Sequence, residues 1–213
     1  MSKINLMQTI RKKNPIAAAR RKKMRSLIRN TEASFLCPNC IGGILFHDLG
    51  MRFYSPTVNL MMFQNHFIRF VLNRESYLRE TLQFYEDENY SCPCAHLGDV
   101  NIYFTHYKTQ EEARNKWIDR SMRIDDNNLF IFADERDGVA EHQIWELGKV
   151  SAIGILVFTA HRYQDIPYTQ FLPAYEKEGE VGNILRRSLF DDSREYEKYF
   201  DFVKWFNEAD GGL

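Results

Sequence analysis

A histidine oriented by a carboxylate is a common general base for a hydroxyl nucleophile. In this chain both residue types follow apolar extended runs. His106 comes just after Val100-Asn101-Ile102-Tyr103-Phe104, and Asp134 closes Leu129-Phe130-Ile131-Phe132-Ala133. Thr159 and His161 follow a third run, Ile153 to Phe158. Asn39, Cys40, Gly42 and Gly43 follow a fourth, Ser34-Phe35-Leu36. Ligands of an open parallel sheet bind outside the carboxyl ends of its strands, so all of these residues would share one edge. His106 would then be the base and Asp134 its orienter. Asp99 is excluded from that role, because seven residues of extended chain would hold it roughly 23 Å from His106. The bland alternative is a histidine that caps a strand end through the backbone.

Gly42-Gly43 stands where a helix would begin, and backbone N–H groups there can approach an anionic or polar ligand; many such glycines only bend the chain. Cys37-x-x-Cys40 and Cys92-x-Cys94 could together supply four thiolates to zinc. The second spacing is tight for a zinc ribbon and the pairs lie far apart, so small buried residues are the expectation and no metal is predicted. There is no G-x-x-x-x-G-K-[ST], G-x-G-x-x-G or G-x-S-x-G, which removes three common nucleotide and hydrolase classes.

The unbroken apolar strands, alternating with helical stretches, predict an α/β fold. It would have a mainly parallel central sheet with helices on both faces, a Rossmann-like three-layer arrangement. Helices are expected over 64–72, over 75–85, from the Thr109 capping box to about Ile124, and over 141–147. The stretch 162–183 would be a lid or wrapping loop. Asp192 with Glu195 would cap a last helix with Tyr196, Tyr199, Phe200, Val203 and Phe206 inward and Gly211 beyond its end.

The 213 residues suit one sizeable core, expected over 32–213, with an appendage over 1–31. The net charge of −1 conceals an asymmetry. Ten of the 28 basic residues precede residue 31 and no acid precedes Glu32, which leaves 18 basic against 29 acidic residues, a body of net charge −11. Asn14-Pro15 should start a basic amphipathic helix in this arm. It could dock on the acidic body or lie peripherally on an anionic membrane. Nucleic acid is not expected, because the arm lacks the interleaved aromatics of a single-strand binder. The absence of a spanning apolar run and of a secretory h-region, with few cysteines, predicts a cytoplasmic protein.

Several blocks carry a family resemblance: Asn39-Cys40-Ile41-Gly42-Gly43, Asp48-Leu49-Gly50, Tyr54-Ser55-Pro56-Thr57-Val58-Asn59-Leu60, Leu97-Gly98-Asp99-Val100, His106-Tyr107, Glu112-Ala113-x-x-Lys116-Trp117-x-x-Arg120 and Asn128-Leu129-Phe130. With them the chain resembles the bacterial domain-of-unknown-function family nineteen-nineteen, often labelled exopolysaccharide biosynthesis protein, with some members called acetyltransferases. Cys37, Cys92, Cys94 and the basic arm lie outside that pattern. The resemblance implies a role in surface-polysaccharide or capsule assembly. The expectation is a transferase that acetylates a hydroxyl of a sugar or polysaccharide precursor, with acetyl-CoA as donor. Gly42-Gly43 would hold an anionic donor group, and Asn39, Cys40, Asp48, Ser55, Thr57 and His161 would contact substrate. Two other readings stand beside it: a non-catalytic carbohydrate-binding or assembly module, and a glycosyltransferase-like enzyme.

Overall fold

The computed structural model describes residues 14–188 and 190–208. The first part of the basic arm and the expected stop at Gly211 lie outside the described residues. In chain order the elements begin with α1 (Pro15–Leu27), β1 (Ser34–Leu36), α2 (Ile41–Leu49), α3 (Gln64–Leu72) and α4 (Arg74–Tyr77). There follow β2 (Gln83–Tyr85), β3 (Cys94–Leu97), β4 (Val100–Tyr103), α5 (Gln110–Ser121) and β5 (Leu129–Asp134). The chain continues through α6 (Glu141–Glu146), β6 (Gly154–Thr159), β7 (Thr169–Phe171) and α7 (Phe202–Glu208).

β1, β5, β6 and β7 form a four-stranded sheet in that order, every pairing parallel. All six residues of β5 are buried, and their alternation separates two cores. Phe130 and Phe132 face a cluster with Phe35, Phe46, Phe158, Phe202 and Phe206, closed by α2 and α7. Leu129, Ile131 and Ala133 face Phe67, Phe70 and Trp117, carried by α3 and α5. A parallel sheet buried on both faces explains why these strands are continuously apolar. The architecture is mixed α/β.

Four expectations need correction. The run 75–85 is not one helix: α4 stops at Tyr77, and β2 pairs antiparallel with β3. Tyr85 stacks on His96 across that pair at 4.2 Å, so cross-strand aromatic packing outweighs local helical spacing. β4 belongs to this second, antiparallel sheet β2-β3-β4 and not to the parallel one. Its two-residue hairpin with β3 needs Gly98 at φ +58°, a left-handed value that suits glycine. Asp192 caps no long helix. Its backbone is left-handed at φ +60°, and its carboxylate binds Arg187 and Arg21; a 3-10 turn at Glu195–Lys198 precedes the short α7. Within 162–183 the chain adds the edge strand β7 instead of staying irregular.

Asn14 does cap α1, its Oδ1 accepting from the Ile16 and Ala17 N–H groups at 2.9 and 3.2 Å. α1 then docks on the body. Ala17 is fully buried, Arg20 pairs with Glu197, and Arg25 donates to the carbonyls of Asp48 and His47, 2.9 Å each, at the C-terminal end of α2. Among the described residues no helix is long and apolar enough to cross a membrane.

Candidate functional site

Two adjoining clefts open beside the ends of β1 and β5, and Cys40 and His106 line both. The larger, about 760 Å³, runs between α1, the side of α2 and the 187–194 segment. The smaller, about 490 Å³, lies under the 180–185 segment. At their junction the Cys40 Sγ and His106 Nε2 atoms are 3.1 Å apart.

Backbone bridges make this meeting of two sheets possible. Met61 exchanges N–H···O bonds with Tyr103 at 2.8 and 2.9 Å, and the Met62 N–H reaches the Pro38 carbonyl at 2.8 Å. The end of β4 is thereby tied to the turn after β1. His106 is anchored by its neighbour: the Tyr107 hydroxyl donates to the Val58 carbonyl at 3.0 Å, and Arg120 Nη1 donates to both, at 2.6 and 3.0 Å. Cys40 is held from the other side. It is the N-cap residue of α2, and Asn39 Oδ1 accepts the first helical N–H, from Ile41, at 3.0 Å.

Burial pushes the Cys40 thiol above its ordinary value, with a hydrogen bond from the Thr105 side chain acting the other way. The resting sulfur is therefore a thiol, next to a base able to take its proton. Cys37 lies fully buried beneath it, pushed up to about 12 by burial, and is inert packing. Among the described residues no three metal-capable side chains cluster.

The predicted pairing of His106 with Asp134 does not form. Asp134 sits at the same edge, but its carboxylate is bound by Asn39 Nδ2 at 3.1 Å, by Gln64 Nε2, and by Arg136 Nε at 2.7 Å. It is wholly buried, and that burial raises it to about 6 against the pull of Arg136. Asn39 thus links Asp134 to the start of α2, which makes Asp134 a support for the Cys40 turn.

His161 does have a carboxylate, but a different one. Its Nδ1 lies 2.8 Å from Glu135 Oε1; Glu135 also accepts from Tyr163 and from the backbone N–H groups of Ala160 and His161, at 2.7 and 3.0 Å. Ser55 and Thr57 are fully buried. Their hydroxyls bond to each other at 3.0 Å, and Thr57 Oγ1 accepts the Cys37 N–H at 3.1 Å, so neither faces a cleft. Gly42 and Gly43 serve close packing: a Cβ would meet Cys37 Sγ at 2.6 Å or Asn59 Oδ1 at 2.3 Å. Asp48 lines the larger cleft.

Sequence reasoning missed Thr105, Gln64, Glu135 and the arginines of the larger cleft, Arg21, Arg187 and Arg194. Only Glu135, adjacent to Asp134, left a visible signal.

The molecule is thus a mixed α/β protein with a thiol–imidazole pair in a cleft at the ends of its parallel strands. Residues 10–207 match the family described as Domain of unknown function (DUF1919), and the chain belongs to it. An uncharacterised protein of Haemophilus influenzae strain Rd is 35% identical over 182 residues, covering 85% of this chain and 87% of that one. The family match takes in α1, in keeping with its docking on the body.

Proposed function

We propose that the protein is an acyltransferase of surface-polysaccharide assembly, working in the cytoplasm, that moves an acetyl group from a thioester donor such as acetyl-CoA to a sugar hydroxyl. The observation that carries the chemistry is the 3.1 Å contact between Cys40 Sγ and His106 Nε2 at the junction of the two clefts. The carbohydrate context rests on the family resemblance alone, and the sheet is read as Rossmann-like on its parallel order and strand-end site.

The pair suits transfer in two half-reactions. His106 takes the thiol proton as Cys40 Sγ attacks the acetyl carbonyl. The donor's carbon–sulfur bond breaks, and its thiolate takes the proton from the imidazolium. His106 then removes the proton of the sugar hydroxyl as that oxygen attacks the acetyl group on Cys40. The Cys40 sulfur leaves and is reprotonated by the imidazolium. Because burial keeps the resting sulfur protonated, the base is required in both halves.

The test is a reconstituted acetyl-transfer assay with intact-protein mass spectrometry. Cys40→Ala and His106→Ala should each abolish transfer, and wild type given donor without acceptor should carry one acetyl group on Cys40. Full activity in His106→Ala would overturn the assignment of this pair, and no transfer by wild type would overturn the acyltransferase reading. Loss in His106→Ala with retention in Cys40→Ala would leave direct transfer to the hydroxyl, with His106 as its base.

The non-catalytic assembly module requires that neither variant change the cellular effect. Deleting residues 1–30 does not separate the two readings cleanly. The deletion would also remove Arg21 from the cleft and the Arg25 cap from α2.

A further inference from the structure

The larger cleft holds three guanidinium groups and two carboxylates. Arg21, Arg187 and Arg194 line it together with His47 and His106; the carboxylates facing them are Asp48 and Asp192. Asp192 is shared: Arg187 Nη1 lies 3.0 Å from each of its oxygens, and Arg21 Nη1 lies 3.4 Å from one.

Arg194 is left over. It is 6% exposed and makes no ion pair among the described residues, and its side-chain hydrogen bond is Nη1 to the Leu185 carbonyl at 3.0 Å. Its Nε is buried without a partner. Desolvating a guanidinium beside another cation is costly unless an anion completes its fork of donors. Burial first, and Arg187 second, push its pKa down, while Tyr196, Asp48 and Asp192 act the other way without forming an ion pair with it.

We infer that this cleft binds a phosphoryl anion, the phosphate or pyrophosphate group of a molecule whose reacting end reaches Cys40 and His106. Planar guanidinium groups match phosphoryl oxygens in geometry and charge, and three of them converge here from α1 and the 187–194 segment. This assigns a task to the docked arm, since Arg21 brings one of the three. What the anion is attached to rests on the acyltransferase reading: the phosphoryl group comes either from the coenzyme A donor or from a nucleotide-linked sugar acceptor. The binding itself does not depend on that reading.

The experiment is calorimetric titration of the full-length protein with inorganic pyrophosphate at low ionic strength. Saturable single-site binding is expected. Arg194→Gln and the more exposed Arg187→Gln should each weaken it roughly 10- to 100-fold, as loss of a charge-assisted contact does. Arg79→Gln, in the exposed turn after α4 and lining neither cleft, should leave it unchanged. Arg187→Gln keeps the test decisive if Arg194→Gln fails to fold. Competition by coenzyme A would identify the donor as the source, and competition by a uridine diphosphate sugar the acceptor.

No pyrophosphate binding, or binding in both cleft variants as tight as in wild type, overturns the inference. His106→Ala separates it from the functional reading. Binding kept with transfer lost supports both; transfer kept with arginine-dependent binding sinks His106 as the base and leaves the anion site standing, and arginine-dependent binding with no transfer even in wild type sinks the acyltransferase alone.

Discussion

His106 and His161 stand at the same edge of the molecule in opposite chemical circumstances. His161 has what a catalytic histidine is usually expected to have, a buried carboxylate at 2.8 Å from Nδ1. That carboxylate is committed to structure, because it also ties down the backbone of Ala160 and His161 and the Tyr163 hydroxyl. His106 has no carboxylate partner among the described residues. What it has is a thiol against Nε2 and two clefts for a substrate to enter. In this molecule the carboxylate partner belongs to the restrained histidine, and the cleft and transferable proton belong to the other.

The largest expected effect tests that contrast directly. His106→Ala should lower transfer by roughly 10²- to 10⁴-fold, the usual contribution of a positioned base. His161→Ala should cost less than about tenfold, since its imidazole lines neither cleft. Steady-state rates on both variants decide the matter. Equal losses would mean that the Glu135–His161 pair is the working base and the thiol contact incidental.

Stability should divide the two histidine environments the other way. Glu135→Ala removes an acceptor from four donors in a site where it is only 5% exposed. It should destabilise the fold by about 2–4 kcal/mol. His106 is exposed, and its truncation should stay within about 0.5 kcal/mol. Urea denaturation measures both. A Glu135 variant as stable as wild type would show that its hydrogen-bond set holds nothing in place.

The sequence carried the edge of the parallel sheet, since unbroken apolar strands have few other uses, and so brought Asn39, Cys40, Asp134 and His161 together on paper. His106 reached the site by another route. It was placed on a parallel strand, yet it arrives from the antiparallel sheet, because Met61 and Met62 clamp that sheet to the turn after β1. Such backbone bridges leave no trace in residue type. The pairing of the carboxylates was also illegible. Asp134 and Glu135 are neighbours in sequence, and a strand end directs them to opposite surroundings that only the packed neighbours define. The resemblance blocks divide: two of them hold Cys40 and His106, and several others mark scaffolding. Tyr107 and Arg120 fix the Val58 carbonyl, and Ser55 and Thr57 fix the Cys37 backbone. These scaffolding residues frame the Cys40–His106 contact without contributing a reacting atom themselves.

The smallest effect separates those two carboxylates by pH. Burial raises Asp134 to about 6, with Asp137 adding to the rise and Arg136 opposing it. Its contribution to stability is therefore full below its unfolded value near 3.8 and is lost as pH rises through about 6, at most about 3 kcal/mol. Glu135 has the opposite sign. Burial pushes it up, but the bonds from Tyr163, His161 and the backbone N–H groups outweigh that and hold it below 4.5. Its contribution is present above 4.5 and is lost only as pH falls further. Between pH 4.5 and 6 only Asp134 of the pair titrates. Wild type measured against Asp134→Asn should lose relative stability across that window, while wild type against Glu135→Gln should show no relative slope there. Thermal melts in matched buffers read the difference. A flat Asp134 comparison would mean that Arg136 and the two amides keep the carboxylate charged throughout, so that it holds the Cys40 turn as an anion at every pH the protein meets.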